Sequence, residues 1–399
     1  MKKTGDELAS HAGLRRIRRA LHRRPERSGA EVHTAATVVS WLEHTAACDI
    51  VTGLGGHGLV ARLPGRGGAP AMGVRAELDA LPILEPNDSL SDTCQTPGCS
   101  HKCGHDGHMT MLLGLAHRLS KTPPAGDVYL LFQPAEETGQ GAAALLAEPQ
   151  VRDLPLQSVI AVHNLPGFPR NSVVIRDGPF AAASIGFAVD LVGRTAHAGE
   201  PERGRSPATA LATLINWIEA LPQRATPFGA AAKATVIHAR LGEVAFGTSP
   251  GQATVMATLR ADTEVALGSL QDHCRRELPD IAAGFGMAYR IAWHEPFPAT
   301  INAPEVVEAV SDAARSLGLQ VVEPAGPMPW SEDFGHFTRH LPSALLGLGA
   351  GRRWAPLHSV EYDFPDALLP VGINLLADTL GRLQGPQSSS DPKEASASA

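Results

Sequence analysis

The chain is poor in cysteine, in positive charge and in long apolar runs. Cys48, Cys94, Cys99, Cys103 and Cys274 are its only cysteines, few and odd in number, which argues against a disulfide framework. No apolar run approaches the ~20 residues that cross a bilayer, so no membrane partner is expected. The opening segment through Glu26 is charged throughout and lacks an apolar signal core, so a cytoplasmic location is expected. Lys and Arg total 34 against 41 Asp and Glu, a net charge of −7, and no nucleic-acid partner is expected. What is present is an ordinary globular balance, 43% hydrophobic and 19% charged. At roughly 100–200 residues per domain the 399 residues imply two or three domains. Histidine is abundant, at 17, and several fall beside Cys, Asp and Glu.

Residues 6–21 and 31–42 read as amphipathic helices parted by Arg24 and Pro25. The basic stretch of Arg15, Arg16, Arg18, Arg19, Arg23 and Arg24 is expected to be a solvated face. Short Val/Leu-rich runs at Gly58–Leu63, 71–76, 128–132 and 159–162 fit strands buried on both faces. Helical patterns at 108–119, 141–146 and 305–317 lie among them, which predicts an α/β sheet domain. The middle of the chain reads differently. A strand at Ala183–Val192 is followed by a helix at 207–221, then by strands at 233–241 and 253–260 joined through a turn over 246–251. A helix at 264–285 and a strand at 288–293 complete a split βαβ order. The expected organisation is a discontinuous sheet domain of residues 1–180 and 296–384, with an inserted ferredoxin-like (βαββαβ) domain at 181–295. Residues 385–399, rich in Ser, Ala and Pro, are expected to be disordered.

The densest polar cluster runs from His101 through Lys102, Cys103, Gly104, His105, Asp106 and Gly107 to His108. Thiolate and imidazole are ligands that a borderline-soft divalent ion prefers. Gly104 and Gly107 disfavour regular helix, which places Cys103 and His105 in a turn with Asp106 as the N-cap of the next helix. Any one of these residues alone is better read as a cap, a core His or an inert Cys; together they point to metal. At 130–139 an apolar strand ends in Glu136 and Glu137. Past a strand end, adjacent carboxylates can approach one point from different directions, one to hold metal and one to handle a proton. His163 ends another apolar run, at the edge where open α/β sheets bind ligands. His358 lies in a distant loop. Glu77 and Asp79 close the strand at 71–76, placed either to orient metal-bound histidines or to form a salt-bridged strand end.

The segments RAELDALPI, HKCGHDGH, FQPAEETGQG, AVHNLPG, GRTAHAGEP, SEDFGHF and LHSVEYDF spread in this order from Arg75 to Phe364. Together they resemble the two-metal aminoacylase/carboxypeptidase superfamily of metallohydrolases, within it the hippurate hydrolase and auxin-conjugate amidohydrolase branch. The resemblance implies a catalytic α/β domain with an inserted lid. It implies that Cys103, His105, Glu137, His163 and His358 hold two divalent ions, and that Glu136 is the general base. It makes Asp79 and Asp333 supporting acids and gives His197 a role at the substrate, often across a lid-mediated dimer. The implied reaction is amide hydrolysis of a small N-acyl amino acid by water; a dipeptidase, a carboxypeptidase or a non-catalytic binding homologue are the alternatives. Mixed thiolate, imidazole and carboxylate ligands suit zinc, with cobalt, nickel and manganese also compatible. Arg260, ending a lid strand, is a candidate for a substrate carboxylate or for an ordinary ion pair.

The chain departs from the branch at Glu77, where Asp is usual, at Lys102, where a small residue is usual, and at Pro365, where Asn is usual. It departs also at Phe246–Pro250, where Asn-Val-Ile-Pro is common. Cys94 and Cys99 are expected to be unpaired loop thiols.

Overall fold

The computed structural model describes residues 10–85 and 96–385. The expected start of the first helix at residue 6, Cys94, and the tail from residue 386 onward lie outside them. Among the described residues no helix is long and apolar enough to cross a membrane.

The larger unit is an eight-stranded sheet. Its spatial order is Asp49–Leu54, Gly58–Leu63, Val128–Gln133, Ala71–Glu77, Leu156–Pro166, Ser343–Gly351, Val173–Val174 and Val321–Val322. The four central strands, from Val128–Gln133 to Ser343–Gly351, run parallel. Val128–Gln133 is buried at every position, which is why its sequence is a continuous apolar run rather than an alternation. Four of these strands are absent from the expectation above: the two-residue Val173–Val174 and Val321–Val322, and two longer ones. Asp49–Leu54 is a largely exposed antiparallel edge with no apolar run. Ser343–Gly351 is glycine-rich because neighbours crowd it: a Cβ at Gly347 would stand 2.1 Å from the Leu165 side chain, and one at Gly349 2.0 Å from the Pro169 carbonyl.

The helix His105–Lys121 is buried almost all round, packed against the sheet and against helices His11–His22 and Leu368–Leu383. It corrects two expectations. Gly107 does not keep this stretch out of helix; it lies inside the helix, with the Phe364 ring 2.3 Å from where its Cβ would stand. Asp106 is not the N-cap. Gly104, at φ +97°, precedes the first helical residue, and the Asp106 carboxylate accepts hydrogen bonds from Arg18 at 3.1 Å and His22 at 2.8 Å. Arg18 is correspondingly not part of a solvated face: it is buried and also pairs with Asp363 and Asp366, each at 2.7 Å.

Burial works against a charged His22, but its bonds to Asp106 and Glu85 outweigh that and raise its pKa to about 9. The stability this adds is fully present below the unfolded pKa of ~6.5 and is lost as pH rises through about 9. His22→Gln is therefore expected to destabilise by about 3 kcal/mol at pH 6. Urea unfolding should show that deficit shrinking toward pH 9.5; a deficit independent of pH would contradict it.

The second unit is a four-stranded antiparallel sheet in the order Ala232–Leu241, Gln252–Ala261, Ala183–Val192, Ala288–Phe297. Helices Ala208–Ala225 and Glu264–Gly284 contribute to one apolar core with it. The strand Gln252–Ala261 alternates buried and partly exposed positions after its first residue, as a sheet covered on one face must. This is the split βαβ order expected. The stretch 246–251 is more than a turn: Thr248–Ser249 forms a short strand paired with Ala196–His197.

Candidate metal centre and active site

The site gathers at the C-terminal ends of the central parallel strands. Ala71–Glu77 leads to Asp79, Val128–Gln133 to Glu136 and Glu137, and Leu156–Pro166 carries His163. The helix start at His105 and the loop around His358 close on the same point.

Cys103 Sγ stands 3.4 Å from His163 Nε2. His105 Nε2 is 3.7 Å from Glu136 Oε2 and 3.9 Å from Glu137 Oε1, and His358 Nε2 is 3.7 Å from Glu137 Oε2. Side-chain donor atoms of Cys103, His105 and His163 all lie within 4.8 Å of one another, as do those of Cys103, Glu137 and His358, and of His105, Glu136 and Glu137. These separations are too long for hydrogen bonds between the imidazoles and carboxylates and short enough for a shared cation between them.

Ring orientations follow from partners that can only accept. His105 Nδ1 donates to the Asp79 carbonyl at 2.9 Å, and His163 Nδ1 to the Asn164 carbonyl at 2.9 Å. Each bond puts the proton on Nδ1 when the ring is neutral and leaves the Nε2 lone pair facing the cluster. Asp79 Oδ2 accepts from Ser28 Oγ at 2.7 Å and from the Glu137 amide at 3.0 Å, so it also fixes the Glu137 backbone.

The donor set fits divalent cations. His105 Nε2 and Glu137 Oε1 are buried with no hydrogen-bond partner, a costly state unless something else satisfies them. Burial and neighbouring carboxylates push the Cys103 thiol and the Glu136 carboxyl well above their ordinary values, and burial first of all lifts Glu137 to about 7. Burial lowers His163 to about 4, keeping it a neutral imidazole. Burial works against a charged His105, but Asp79, Glu77 and Glu137 outweigh it and raise that ring to about 10; a crowd of acids holding such protons is the arrangement that metal binding completes while displacing them.

Arg75 supports the floor of the site. It is fully buried and donates to Glu77, to Glu332 at 3.0 Å, to Asp333 at 2.7 Å and to Gln133 at 2.9 Å. Asp333 contacts none of the grouped histidines; it accepts from Arg75, Gln133 and the Ala142 amide. Glu77 binds His108 Nδ1 at 2.6 Å, and His108 Nε2 lies 2.8 Å from Asn164 Oδ1.

Glu332, Asn164 and Arg75 were not singled out from sequence, though each sits inside a segment that was; His108 was read only as part of the polar cluster. Glu332 comes within the same 4.8 Å of Glu136 and Asp333, and an acid two residues before Phe334 was the available signal. His197 stands outside these groups: it is exposed on the second unit, its Nδ1 accepting from the Gly199 amide at 3.1 Å. Arg260 Nη1 donates to Ser331 Oγ at 2.8 Å across the two units, and it has no ion pair among the described residues.

A fold built on two large sheets, with a thiol, imidazole and carboxylate cluster at the strand ends of one, defines a metallohydrolase class. The chain belongs to the peptidase family M20/M25/M40, whose profile matches residues 73–382. It is 30% identical over 376 residues to the N-acetylcysteine deacetylase of Bacillus subtilis strain 168, covering 93% of this chain and 97% of that one. A second protein of that strain, an N-acetyl-L-cysteine deacetylase, is 31% identical over 84% of this chain and 79% of its own length. A solved Bacillus subtilis structure described as a dinuclear metal-binding peptidase of the M20 family superposes with a TM-score of 0.78, at 27% identity, over 93% of this chain and 97% of that one. The chain is a metal-dependent amidohydrolase of the aminoacylase and carboxypeptidase type.

Proposed function

We propose that the chain hydrolyses the amide bond of N-acyl amino acids or related small amides in the cytoplasm. In this reading Cys103, His105, Glu137, His163 and His358 hold two divalent ions, zinc first among them. Residues 1–180 and 296–384 form the catalytic domain. Residues 181–295 form the lid, through which two chains pair and His197 meets substrate. The observation that carries the reading is the convergence of Glu136, Glu137 and His105, with His105 Nε2 and Glu137 Oε1 buried and unpartnered.

Bound ions supply Lewis acidity, which makes water nucleophilic near neutral pH and polarises a carbonyl oxygen. The chain supplies the rest. Glu136 is buried at the cluster, with Oε2 3.7 Å from His105 Nε2, where its carboxylate takes the proton of the attacking water and returns it to the leaving amine. Asp79 and the Asn164 carbonyl hold the two imidazoles in register. Arg260, half-buried and lacking a carboxylate partner among the described residues, is offered to the substrate carboxylate. Arg260→Ala is expected to raise KM for carboxylate-bearing amides by about tenfold or more, with kcat little changed; an unchanged KM leaves it a structural contact to Ser331.

The deciding experiment is hydrolysis of a panel of N-acyl amino acids and dipeptides, with chelation and metal add-back. Chelator-sensitive cleavage of N-acyl amino acids, restored by metal, is expected. Preference for dipeptides moves the assignment to a dipeptidase. No cleavage by metal-loaded protein overturns the reading.

A further inference from the structure

Lys102 precedes the first proposed ligand, at a position where the sequence departs from its branch. Its side chain is fully buried, and its ammonium donates to Glu85 at 2.6 Å and to the Tyr362 carbonyl at 2.8 Å. Its own carbonyl accepts from the His358 amide at 2.8 Å. One residue therefore grips both ends of the loop 358–362, by main chain at His358 and by side chain at Tyr362. That loop needs an anchor. His358 holds a left-handed backbone, φ +64°, uncommon for a residue with a side chain, and its side chain is 51% exposed. The other clustered donors are set within strand ends or a helix start and are at least nine-tenths buried or nearly so.

Glu85 extends the anchor into the body of the protein. It meets His22 Nε2 at 3.2 Å, and His22 Nδ1 meets Asp106 at 2.8 Å. The bonds thus run from the first described helix, under the ligand turn, to the loop that presents His358.

We propose that Lys102 is a positioning residue that docks the His358 loop on the Cys103 turn and so sets the affinity of the ion held by Cys103, Glu137 and His358. The ion among Cys103, His105 and His163 shares Cys103 but depends on Lys102 much less, because Asp79 and Asn164 orient its two rings. This rests on the ligand set proposed above.

The test strips metal from the full chain and titrates it with Zn²⁺ against a chromophoric chelator, counting ions and affinities. The variants are Lys102→Met, Lys102→Met combined with Glu85→Met, and His358→Ala. The double variant removes both buried charges together, which apolar replacement tolerates better than stranding one of them, and circular dichroism with urea unfolding establishes that it is folded. The expected result is two ions in the unaltered chain. One affinity falls at least tenfold in the double variant, the same one that His358→Ala removes, and the other stays within threefold. Two unchanged affinities, or an equal fall in both, in the folded double variant overturn the proposal while leaving the ligand set standing. An unaltered chain that holds fewer than two ions, or an unaffected His358→Ala, overturns the ligand set and this proposal with it.

Discussion

Glu136→Gln is expected to keep its metal and lose about 10²–10⁴-fold in kcat, the usual contribution of a positioned acid/base. The amide matches the carboxylate in size and keeps an oxygen near His105, so the cluster is little disturbed. It cannot take a proton from water. The local field explains why this carboxylate, and not Glu137, is assigned the proton. Both are raised by burial and by Glu332 and Asp79, but Asp333 and Glu137 raise Glu136 further, while His105 and Cys103 draw Glu137 downward. Metal content by elemental analysis and turnover on a cleaved N-acyl amino acid check the pair of outcomes. Retained metal with near-normal turnover would remove Glu136 from the role.

Arg75→Met is expected to destabilise by about 3–5 kcal/mol, because it removes one partner of a buried ionic network and strands the others. Glu77, Glu332 and Asp333 would face one another with no guanidinium between them. Burial raises Glu77 and Glu332, yet Arg75 together with nearby histidines, His108 above all at Glu77 and His163 at Glu332, offsets it and holds both below the ordinary carboxylate value. The stability gained there is present above about pH 4.5 and is lost as pH falls through the lower folded values. Denaturant unfolding should therefore show a deficit that is large at neutral pH and narrows in acid. A loss under about 1 kcal/mol at pH 7 would mean that the carboxyls are already neutral in the folded protein.

The candidate site was legible from groups of residues, not from any one of them alone. Glu136, Glu137 and His163 each sit where an apolar run gives way to a polar turn, and such changes mark strand ends, whereas Cys103 and His105 stood out by the density of Cys and His around them. His358 was legible only through the resemblance, since a lone loop His carries no periodicity. The reading erred where a glycine's reason was steric. Gly107 looked like a helix breaker because backbone freedom is the common use of glycine; the Phe364 ring against it is a contact from 257 residues away, and no local pattern encodes it. Arg18 looked solvated because basic helix faces usually are. Its burial depends on Asp106, Asp363 and Asp366 converging from two other segments.

The sequence by itself determined the α/β class and the residue types of the candidate metal site, because hydrophobic period and motif spacing are properties of short stretches. Only the tertiary structure decided which acids share a field and which lysine and arginine are buried among them. It alone paired Glu77 with His108 and left His105 Nε2 and Glu137 Oε1 facing one another. Charge interactions and steric contacts act through space between residues far apart in the chain, so their partners become readable only once the strands have been brought side by side.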